Sequence, residues 1–509
     1  MLATVLSGTV IGIDAHLVEV EVDLRQGMPF FAIVGLPDPA VKESRERVKS
    51  AIRNSGYLFS ANHRVTVNLA PADIKKEGPA FDLPIAIGLL AAMAAVKRTR
   101  LRDYLILGEL SLEGRIKRTT GALPVALAAA AKGLKGILVP RANAREAAVV
   151  KELPVFPCEH LSEVVAFLNG EAELPRVELD LQALFRRAAV HRVDFSDVKG
   201  QEHAKRALEV AAAGGHNALL IGPPGSGKTM LAKRLPTILP DLGFEEALET
   251  TKIYSVIGQV KEKEGLIAKR PFRSPHHTVS DAGLIGGGTI PRPGEISLAH
   301  HGVLFLDELP EFKKHVLEVL RQPLEEGTVT IARAAMALTY PARFMLVAAM
   351  NPCPCGYLGD PMHPCACTPR QVAQYRSRIS GPLLDRIDLH VEVPAVRYRE
   401  LSDERSGEPS EAIRERVNRA RTLQAQRFAE ARIFCNADME TRQLKKWCQI
   451  DPAGHNLLQH CVDRLGMSAR AHARILKVAR TIADLEGSEK ISSAHLSEAV
   501  NYRVLDRAT

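Results

Sequence analysis

The sequence lacks any hydrophobic run long enough to span a membrane. The longest, residues 84–96, falls short of the about 18 apolar residues that a transmembrane helix needs. The chain also lacks a basic segment ahead of an apolar one at its start, and it soon reaches Asp14, Glu19 and Glu21, which argues against a signal peptide. These absences predict a cytoplasmic protein that has no membrane partner.

Aromatic residues and cysteines are scarce as well. Aromatic residues make up 5% with a single tryptophan, whereas the hydrophobic share of 46% and the charged share of 25% are ordinary, which excludes a disordered or fibrous chain. Only 8 cysteines occur in 509 residues, too few for a disulfide framework, and four of them lie in one short segment. The net charge of +8 permits a polyanionic partner without requiring one.

The length predicts about three domains. Residues 1–170 are predicted to be α/β, with strand-like alternation in 17–24 and an apolar helix in 82–96, and residues 171–192 are predicted to be a linker. Residues 193–395 carry nucleotide-binding motifs and a cysteine-rich loop in 351–369. Residues 396–509 have helical periodicity and many arginines.

A glycine-rich loop lies between a predicted strand and a predicted helix in LLIGPPGSGKTMLAKRL (219–235). Glycines let backbone N–H groups face an anion, and the N-terminus of the following helix adds its dipole. The motif ends in a lysine that reaches the β- and γ-phosphates and a threonine that binds Mg²⁺. The predicted nucleotide-binding residues are Gly222, Pro223, Pro224, Gly225, Ser226, Gly227, Lys228 and Thr229.

Two further predicted strands end in polar residues that suit nucleotide hydrolysis. Residues 303–306 lead into Asp307, which can hold the Mg²⁺ shell, and Glu308, which can polarise the attacking water. Residues 344–350 lead into Asn351, which can sense the γ-phosphate and orient that water. The alternative for Asn351 is a strand-capping role.

An arginine stands between two acids in LLDRIDL. Arg386 is a candidate arginine finger, a group that stabilises charge during phosphoryl transfer. The alternative is a surface ion pair with Asp385 or Asp388.

The cysteine cluster lies in NPCPCGYLGDPMHPCACTP (351–369). Four thiolates can close a tetrahedral structural Zn²⁺ site, and such a site has no open position for catalysis. The two cysteines of each pair are separated by one residue instead of the usual two, so free thiols are the alternative, and His363 can replace one ligand. The predicted zinc ligands are Cys353, Cys355, Cys365 and Cys367.

These motifs, in this order, resemble AAA+ ATPases of the magnesium-chelatase branch. The segments FRSPHHTVSDAGLIGGGTIPRPGEISLAHHGVLFLDELPEF (272–312) and ARAHARILKVARTIADLEG (469–487) are similar to the ComM/YifB family, magnesium-chelatase-like proteins linked to natural transformation. The resemblance covers nearly the whole chain. It implies an α/β AAA+ core, a C-terminal helical lid, and ATP with Mg²⁺ as cofactors.

The resemblance also implies a homohexameric ring with ATP bound between subunits. Arg386 then reaches the nucleotide of the neighbouring subunit. The lid brings Arg470 to the phosphates as a second sensor, with Arg474, one helical turn away, as the alternative. The residues that act on the nucleotide of their own subunit are Lys228, Thr229, Asp307, Glu308 and Asn351.

The family further implies two inserts that face the ring channel. One occupies about 273–300, and the other is a hairpin in EGTVTIARAAMALTYPARF (326–344), with Arg333 at or near its tip. A cation there can grip a phosphate backbone, although an arginine that simply faces solvent is the alternative. The last block adds arginines on predicted helices, namely Arg414, Arg416, Arg419, Arg421, Arg427 and Arg432.

The N-terminal block resembles the proteolytic domain of Lon proteases, through KKEGPAFDLPIAIGLLAA (75–92) and LEGRIKRTTGALPVALAAAAKGLKGILVPRANARE (112–146). Those enzymes use a serine that is activated by a lysine. Here Ala80 stands at the serine position and Leu123 at the lysine position, so the domain is predicted to be a degenerate scaffold and not an active protease.

Three functions are consistent with these features. The first is a hexameric DNA motor, a helicase or branch-migration translocase that acts with recombination proteins during natural transformation. The second is the motor subunit of a chelatase-like protein-remodelling complex. The third, an unfoldase-protease, is opposed by Ala80. Stimulation of ATP hydrolysis by DNA separates the first function from the second.

Overall fold

A computed structural model describes residues 1–59, 62–288, 291–333, 336–396, 407–431, 433–465, 469–503 and 505. Its architecture is mixed α/β, which confirms the predicted fold class. The residues group by their contacts into two compact units. The first comprises Met1–Ala188 and Gly243–Lys269, and the second comprises Ala189–Leu242 and Arg270–Thr509.

The first 188 residues form strands that alternate with helices. The strands are β1 (Leu2–Ile11), β2 (Asp14–Gln26), β3 (Phe30–Val34), β4 (His63–Ala70), β5 (Tyr104–Ile106), β6 (Glu109–Leu110), β7 (Ile116–Lys117), β8 (Gly136–Pro140) and β9 (Val155–Cys158). The helices are α1 (Pro39–Asn54), α2 (Asp82–Ala92), α3 (Ala122–Ala131), α4 (Arg141–Ala147), α5 (Leu161–Asn169) and α6 (Leu181–Ala188).

The remaining residues contain short strands and many helices. The strands are β10 (Ala218–Ile221), β11 (Phe272–Arg273), β12 (Gly286–Gly287), β13 (Arg292–Pro293), β14 (Val303–Leu306), β15 (Thr328–Arg333), β16 (Met336–Pro341), β17 (Met345–Met350) and β18 (Leu389–Glu392). The helices up to that strand are α7 (Glu202–Gly214), α8 (Lys228–Arg234), α9 (Phe244–Val256), α10 (Asp281–Ile285), α11 (Glu295–Leu298), α12 (Lys314–Glu318), α13 (Arg321–Glu326), α14 (Pro369–Arg376) and α15 (Gly381–Leu384). The later helices are α16 (Ser410–Arg427), α17 (Thr441–Trp447), α18 (Pro452–Leu465), α19 (Ala469–Leu485) and α20 (Ser493–Asn501).

The first unit is built on a sheet with strand order β3-β4-β2-β1-β5-β8-β9. In β2 the residues Val18, Val20 and Val22 are fully buried and the intervening side chains face outward, as the period of two in a strand requires. Helix α2 is buried along its whole length, because every residue after its first is apolar. The predicted apolar helix is therefore confirmed.

Helix α9 belongs to this first unit, although its sequence position lies between the strands of the second. It packs against α3. The backbone N–H of Gly121 donates to the carbonyl of Ser255 at 3.0 Å, and the Ser255 hydroxyl donates to the buried carboxylate of Glu146. Residues 243–269, which the sequence division placed within the nucleotide-binding block, therefore pack with the N-terminal unit.

The second unit is built on a parallel sheet with strand order β11-β14-β17-β10-β18. Three of its strands, β10, β14 and β17, are wholly buried and apolar, as strands covered on both faces are. Helices α16 and α19 of the C-terminal block pack against α7 and share one hydrophobic core with the sheet. Because all five strands run in the same direction, their carboxyl ends meet at one edge of the sheet.

Among the described residues, none of the helices combines the length with the apolar character that a bilayer crossing requires.

Candidate nucleotide site

Three neighbouring strands of the parallel sheet deliver the predicted site residues to one edge. The glycine-rich loop follows β10, Asp307 follows β14, and Asn351 follows β17, which lies between those two strands. The Thr229 hydroxyl donates to Asp307 Oδ2 at 2.6 Å, and Lys228 Nζ donates to Asn351 Oδ1 at 3.3 Å. The fold thus gathers side chains from three separate segments into one polar cluster.

The loop after β10 has the backbone that an anion site needs. Gly225 and Gly227 have φ of +77° and +91°, in the left-handed region that favours glycine, and Gly227 leads directly into α8. Ser226 is 1% exposed, and its hydroxyl has no hydrogen-bond partner among the described residues. A buried hydroxyl left without a partner is rare, and in this loop it suits a phosphate oxygen.

The Lys228 ammonium group lies within the loop. Its Nζ donates to the carbonyls of Gly222 at 2.7 Å and Pro223 at 2.8 Å. Burial lowers the pKa of Lys228, while the charges of Asp307 and Glu308 oppose that shift. The cation is therefore held beside two carboxylates, at the place where phosphate and Mg²⁺ charges would balance.

Glu308 has a conformation that few non-glycine residues adopt. Its φ is +53°, in the left-handed region, and its backbone N–H donates to Asp307 Oδ1 at 3.0 Å. Such strain is common at functional positions. His277 Nδ1 lies 3.4 Å from Glu308 Oε2, a contact that the sequence did not suggest. The feature of the sequence that could have indicated it is the pair of adjacent histidines after β11, in SPHHT (274–278).

Arg386 is nearly buried, with 9% exposure, and its guanidinium pairs with Glu325 and donates to the carbonyl of Pro382. Among the described residues its ion-pair partner is neither Asp385 nor Asp388, so the surface ion pair weighed as the alternative is wrong in its partners. The role of Arg386 toward a neighbouring subunit stays a prediction.

The two candidates for the second sensor have different surroundings. Arg474 pairs with the buried carboxylate of Asp388, which lies 3.2 Å from His216 Nδ1. Although burial raises it, the charge of Arg474 and the hydrogen bond from His216 hold the pKa of Asp388 well below its usual range. Arg470, at the start of α19, is exposed. The assignment of Arg470 as the sensor stays a prediction, with Arg474 engaged in the core.

The four-cysteine loop, defined here as residues 353–367, has the donor set of a metal site. The Sγ atoms of Cys353 and Cys355 are 3.3 Å apart, and those of Cys353 and Cys365 are 3.7 Å apart. All four sulfurs, including that of Cys367, lie within 4.8 Å of one another. Tetrahedral zinc with bonds of about 2.3 Å separates its sulfurs by about 3.8 Å, so these thiols fit Zn²⁺. His363 is exposed and lies outside the cluster.

Two hairpins pack together on the second unit. The predicted hairpin around Arg333 is confirmed by the antiparallel pairing of β15 with β16, which places Arg333 opposite Met336 at the end of the ladder. Arg333 is exposed. A Cβ atom on Gly287 of β12 would lie 3.2 Å from Arg333 Nη2, and the Tyr340 hydroxyl donates to the carbonyl of Pro291 at 2.7 Å.

The arginine-rich helix α16 is mostly tied into the fold. Arg416 pairs with Glu209, Arg427 pairs with Asp484, and Arg421 donates to the carbonyl of Ala212 at 3.0 Å. Arg419 is exposed. Arg432 lies outside the described residues. These pairings give most of the arginines a packing role.

In the first unit, the positions matched to the Lon serine and lysine carry no reactive group. Ala80 offers a methyl group, and the side chain of Leu123 is fully buried. The Leu123 backbone N–H donates to Glu146 Oε1 at 3.3 Å. The contacts of Leu123 are those of a packed scaffold.

The second unit has the site of a P-loop ATPase of the AAA+ class, with its phosphate-binding loop, acidic pair and asparagine on neighbouring strand ends. Three family descriptions match the chain: "Magnesium chelatase, subunit ChlI" over residues 194–401, "Subunit ChlI of Mg-chelatase" over 20–143, and "Magnesium chelatase, subunit ChlI C-terminal" over 407–503. Together they span both units.

Relatives that match the chain along its full length identify its family within the magnesium-chelatase-like proteins. The chain is 44% identical to competence protein ComM of Haemophilus influenzae and 46% identical to YifB of Salmonella typhimurium, each over 99% of this chain and 98% of the relative. It is 25% identical to the magnesium-chelatase 38 kDa subunit of Rhodobacter capsulatus, over 62% of this chain and 87% of that protein. The chain belongs to the ComM/YifB family of magnesium-chelatase-like AAA+ ATPases, and that family implies ATP and Mg²⁺ as its cofactors.

Proposed function

We propose that this protein is an ATP-driven DNA motor, a helicase or branch-migration translocase that assembles as a hexameric ring in the cytoplasm. Its proposed role is DNA recombination during natural transformation, with recombination proteins as partners. The observation that carries the proposal is the polar cluster of Lys228, Thr229, Asp307 and Asn351 on the edge of the sheet. The identity to competence protein ComM along the full chain supports the DNA role.

In the proposed hydrolysis each residue has one task. Lys228 and the loop backbone bind the phosphates, and the buried Ser226 hydroxyl accepts or donates a hydrogen bond that it lacks without a ligand. Thr229 and Asp307 would hold Mg²⁺, which neutralises phosphate charge. Glu308 removes a proton from the attacking water, and Asn351 orients that water.

DNA stimulation of ATP hydrolysis tests the motor role. Turnover should rise when single-stranded, duplex or forked DNA is added, and the Arg333→Ala variant should lose part of this rise. Because Arg333 would contact phosphates without reading bases, DNA affinity should fall for all sequences, and the salt slope should fall by about one unit per lost contact. Arg419→Ala removes another exposed arginine and is the matched control. Unchanged stimulation in Arg333→Ala would place DNA elsewhere.

Subunit mixing tests the ring. If Arg386 acts on the nucleotide of a neighbouring subunit, Arg386→Ala and Lys228→Ala proteins are each inactive, yet mixed rings contain some intact sites. Turnover should therefore recover when the two variants are mixed and reassembled. No recovery in verified mixed rings would contradict the action of Arg386 between subunits.

Zinc in the four-cysteine loop is part of the proposal, as a structural ion. Metal analysis of protein purified in reductant without chelator should find about one Zn²⁺ per chain. The double variant Cys355→Ser, Cys365→Ser should lose the metal, whereas Cys461→Ser, which changes a cysteine outside the cluster, should retain it. If the wild-type protein contains no metal, the zinc proposal is wrong and the four cysteines are free thiols.

The second candidate function is the motor of a chelatase-like protein-remodelling complex, which the magnesium-chelatase family matches favour. In that case a protein partner, and not DNA, should stimulate ATP hydrolysis. Because Ala80 and Leu123 replace the Lon serine and lysine, no peptidase activity is expected under either proposal.

A further inference from the structure

The four-cysteine loop begins two residues after Asn351, the proposed sensor of the γ-phosphate. Cys353 is fully buried, and the connecting residue Pro352 accepts a hydrogen bond from Arg376 Nε at 3.4 Å. Asn351 is therefore joined to the cysteine cluster through one residue, Pro352, which Arg376 holds in place.

Gly356 brings the same loop against the phosphate-binding loop. A Cβ atom on Gly356 would lie 2.6 Å from Pro224 Cδ and 3.9 Å from Asn351 Cγ. The first distance is shorter than any real Cβ contact, so only glycine permits this approach. Gly356 therefore lies between two elements of the ATP site, the phosphate-binding loop on one side and the sensor on the other.

The cysteine cluster itself sets the position of Gly356. The backbone N–H of Gly356 donates to the carbonyl of Cys353 at 3.0 Å, and that of Cys355 donates to Cys367 Sγ at 3.4 Å. The first bond closes a turn over residues 353–356, and the second ties that turn to the second cysteine pair. The path of the chain at Gly356 is thus fixed by bonds to Cys353 and, through Cys355, to the sulfur of Cys367.

A cavity extends the contact between the two loops. It has a volume of about 360 Å³, with Gly222 and Pro223 of the phosphate-binding loop on its wall. Residues 358–361, from the turn between the two cysteine pairs, form another part of the same wall. The two loops therefore face one cavity, and the close approach between them is the one at Gly356.

We propose that the four-cysteine loop is a positioning element of the ATP site, which sets the spacing between Pro224 and Asn351 through Gly356. On this proposal, an intact cysteine cluster is needed for the rate of hydrolysis more than for nucleotide binding, because Lys228 keeps its contacts with the carbonyls of Gly222 and Pro223 when its contact with Asn351 changes. The inference rests on the ATP hydrolysis and the structural zinc proposed above.

Two glycines of the same loop provide a matched test. Gly356 and Gly359 have φ of +88° and +81°, so alanine imposes similar backbone strain at both, but a Cβ on Gly359 meets nothing within 4 Å. Gly356→Ala should lower basal kcat about tenfold and leave the KM for ATP within about threefold. Gly359→Ala should leave kcat within about twofold. Zinc content should match wild type in both variants.

The metal provides the second arm. Cys355→Ser, Cys365→Ser protein should show the same split, a lower kcat with a nearly unchanged nucleotide dissociation constant. Equal kcat in Gly356→Ala and Gly359→Ala would overturn the proposal, as would wild-type kcat in the zinc-free double variant. All these measurements are made without DNA. An absence of DNA stimulation would therefore contradict the motor role, whereas only the kcat and binding data of these variants test the positioning role of the loop.

Discussion

Two buried polar groups, one in each unit, differ in their hydrogen bonding. In the first unit, Asp82 is fully buried and receives hydrogen bonds from Arg47 Nε at 2.7 Å and the Leu110 N–H at 3.2 Å. In the second unit, the Ser226 hydroxyl is just as buried and has no partner among the described residues. The pairing of Asp82 stabilises the fold, whereas the unpaired Ser226 hydroxyl, in a loop built for phosphate, can hydrogen-bond to a ligand.

The largest expected effect comes from Lys228, whose buried ammonium faces acceptors that a nucleotide would replace. Lys228→Ala should lower ATP turnover at least about 100-fold, since a charge that stabilises phosphoryl transfer is lost. The steady-state ATPase rate measures this change. Lys205 is also buried but pairs with Glu202, so Lys205→Ala should keep turnover within about threefold. An equal loss of ATP turnover in both variants would contradict a specific role of Lys228 at the nucleotide.

Glu308 should separate binding from hydrolysis. Glu308→Gln keeps the shape of the side chain and removes its basicity, so kcat should fall about 100-fold while ATP stays bound. Equilibrium binding of ATP and single-turnover hydrolysis measure the two quantities separately. Glu326→Gln, a change of an exposed acid in the same unit, is the control. Turnover at the wild-type rate in Glu308→Gln would remove the assigned role.

The paired groups of the first unit should affect stability and not turnover. Arg47→Ala leaves the buried carboxylate of Asp82 without its cation, so the free energy of unfolding should fall by about 3 kcal/mol. Urea unfolding measures that change. ATP turnover at a temperature well below unfolding should stay within about twofold. Lost turnover in the folded variant would give this pair a functional role.

The smallest effect concerns pH and Glu146. Burial raises the pKa of Glu146, and hydrogen bonds from Ser255 and Asn143 only partly offset that rise. A raised folded-state pKa gives stability that is present below the unfolded value of 4.5 and is lost as pH rises through the folded value. The wild type should therefore lose stability relative to Glu146→Gln as pH rises, by about 1.4 kcal/mol for each pH unit that separates the folded pKa from the unfolded one.

Urea unfolding at several pH values between about 4.5 and 8 measures that difference. Glu152 is exposed, so Glu152→Gln is the control and its difference from wild type should stay flat. A difference that grows in favour of the wild type as pH rises would contradict the assigned sign.

Most of the nucleotide site could be predicted because its residues lie in short continuous segments of the sequence. A strand, a glycine-rich turn and a helix start occur together in residues 218–234, so local pattern alone indicates the phosphate-binding loop. Asp307 and Asn351 each follow an apolar strand of a few residues. Parallel strands bring their carboxyl ends to one edge, and this rule joins the three segments without knowledge of packing.

Other contacts depend on packing between distant segments, and no local pattern encodes them. The approach of Gly356 to Pro224, the pair of Arg386 with Glu325, and the packing of residues 243–269 with the first unit all join distant parts of the sequence. Periodicity tells which face of a helix or strand is buried, but the partner of that face is chosen by the packing of the whole core. The proposed hydrolytic residues can thus be identified from local sequence patterns, while the contacts that hold them in place are determined by tertiary packing.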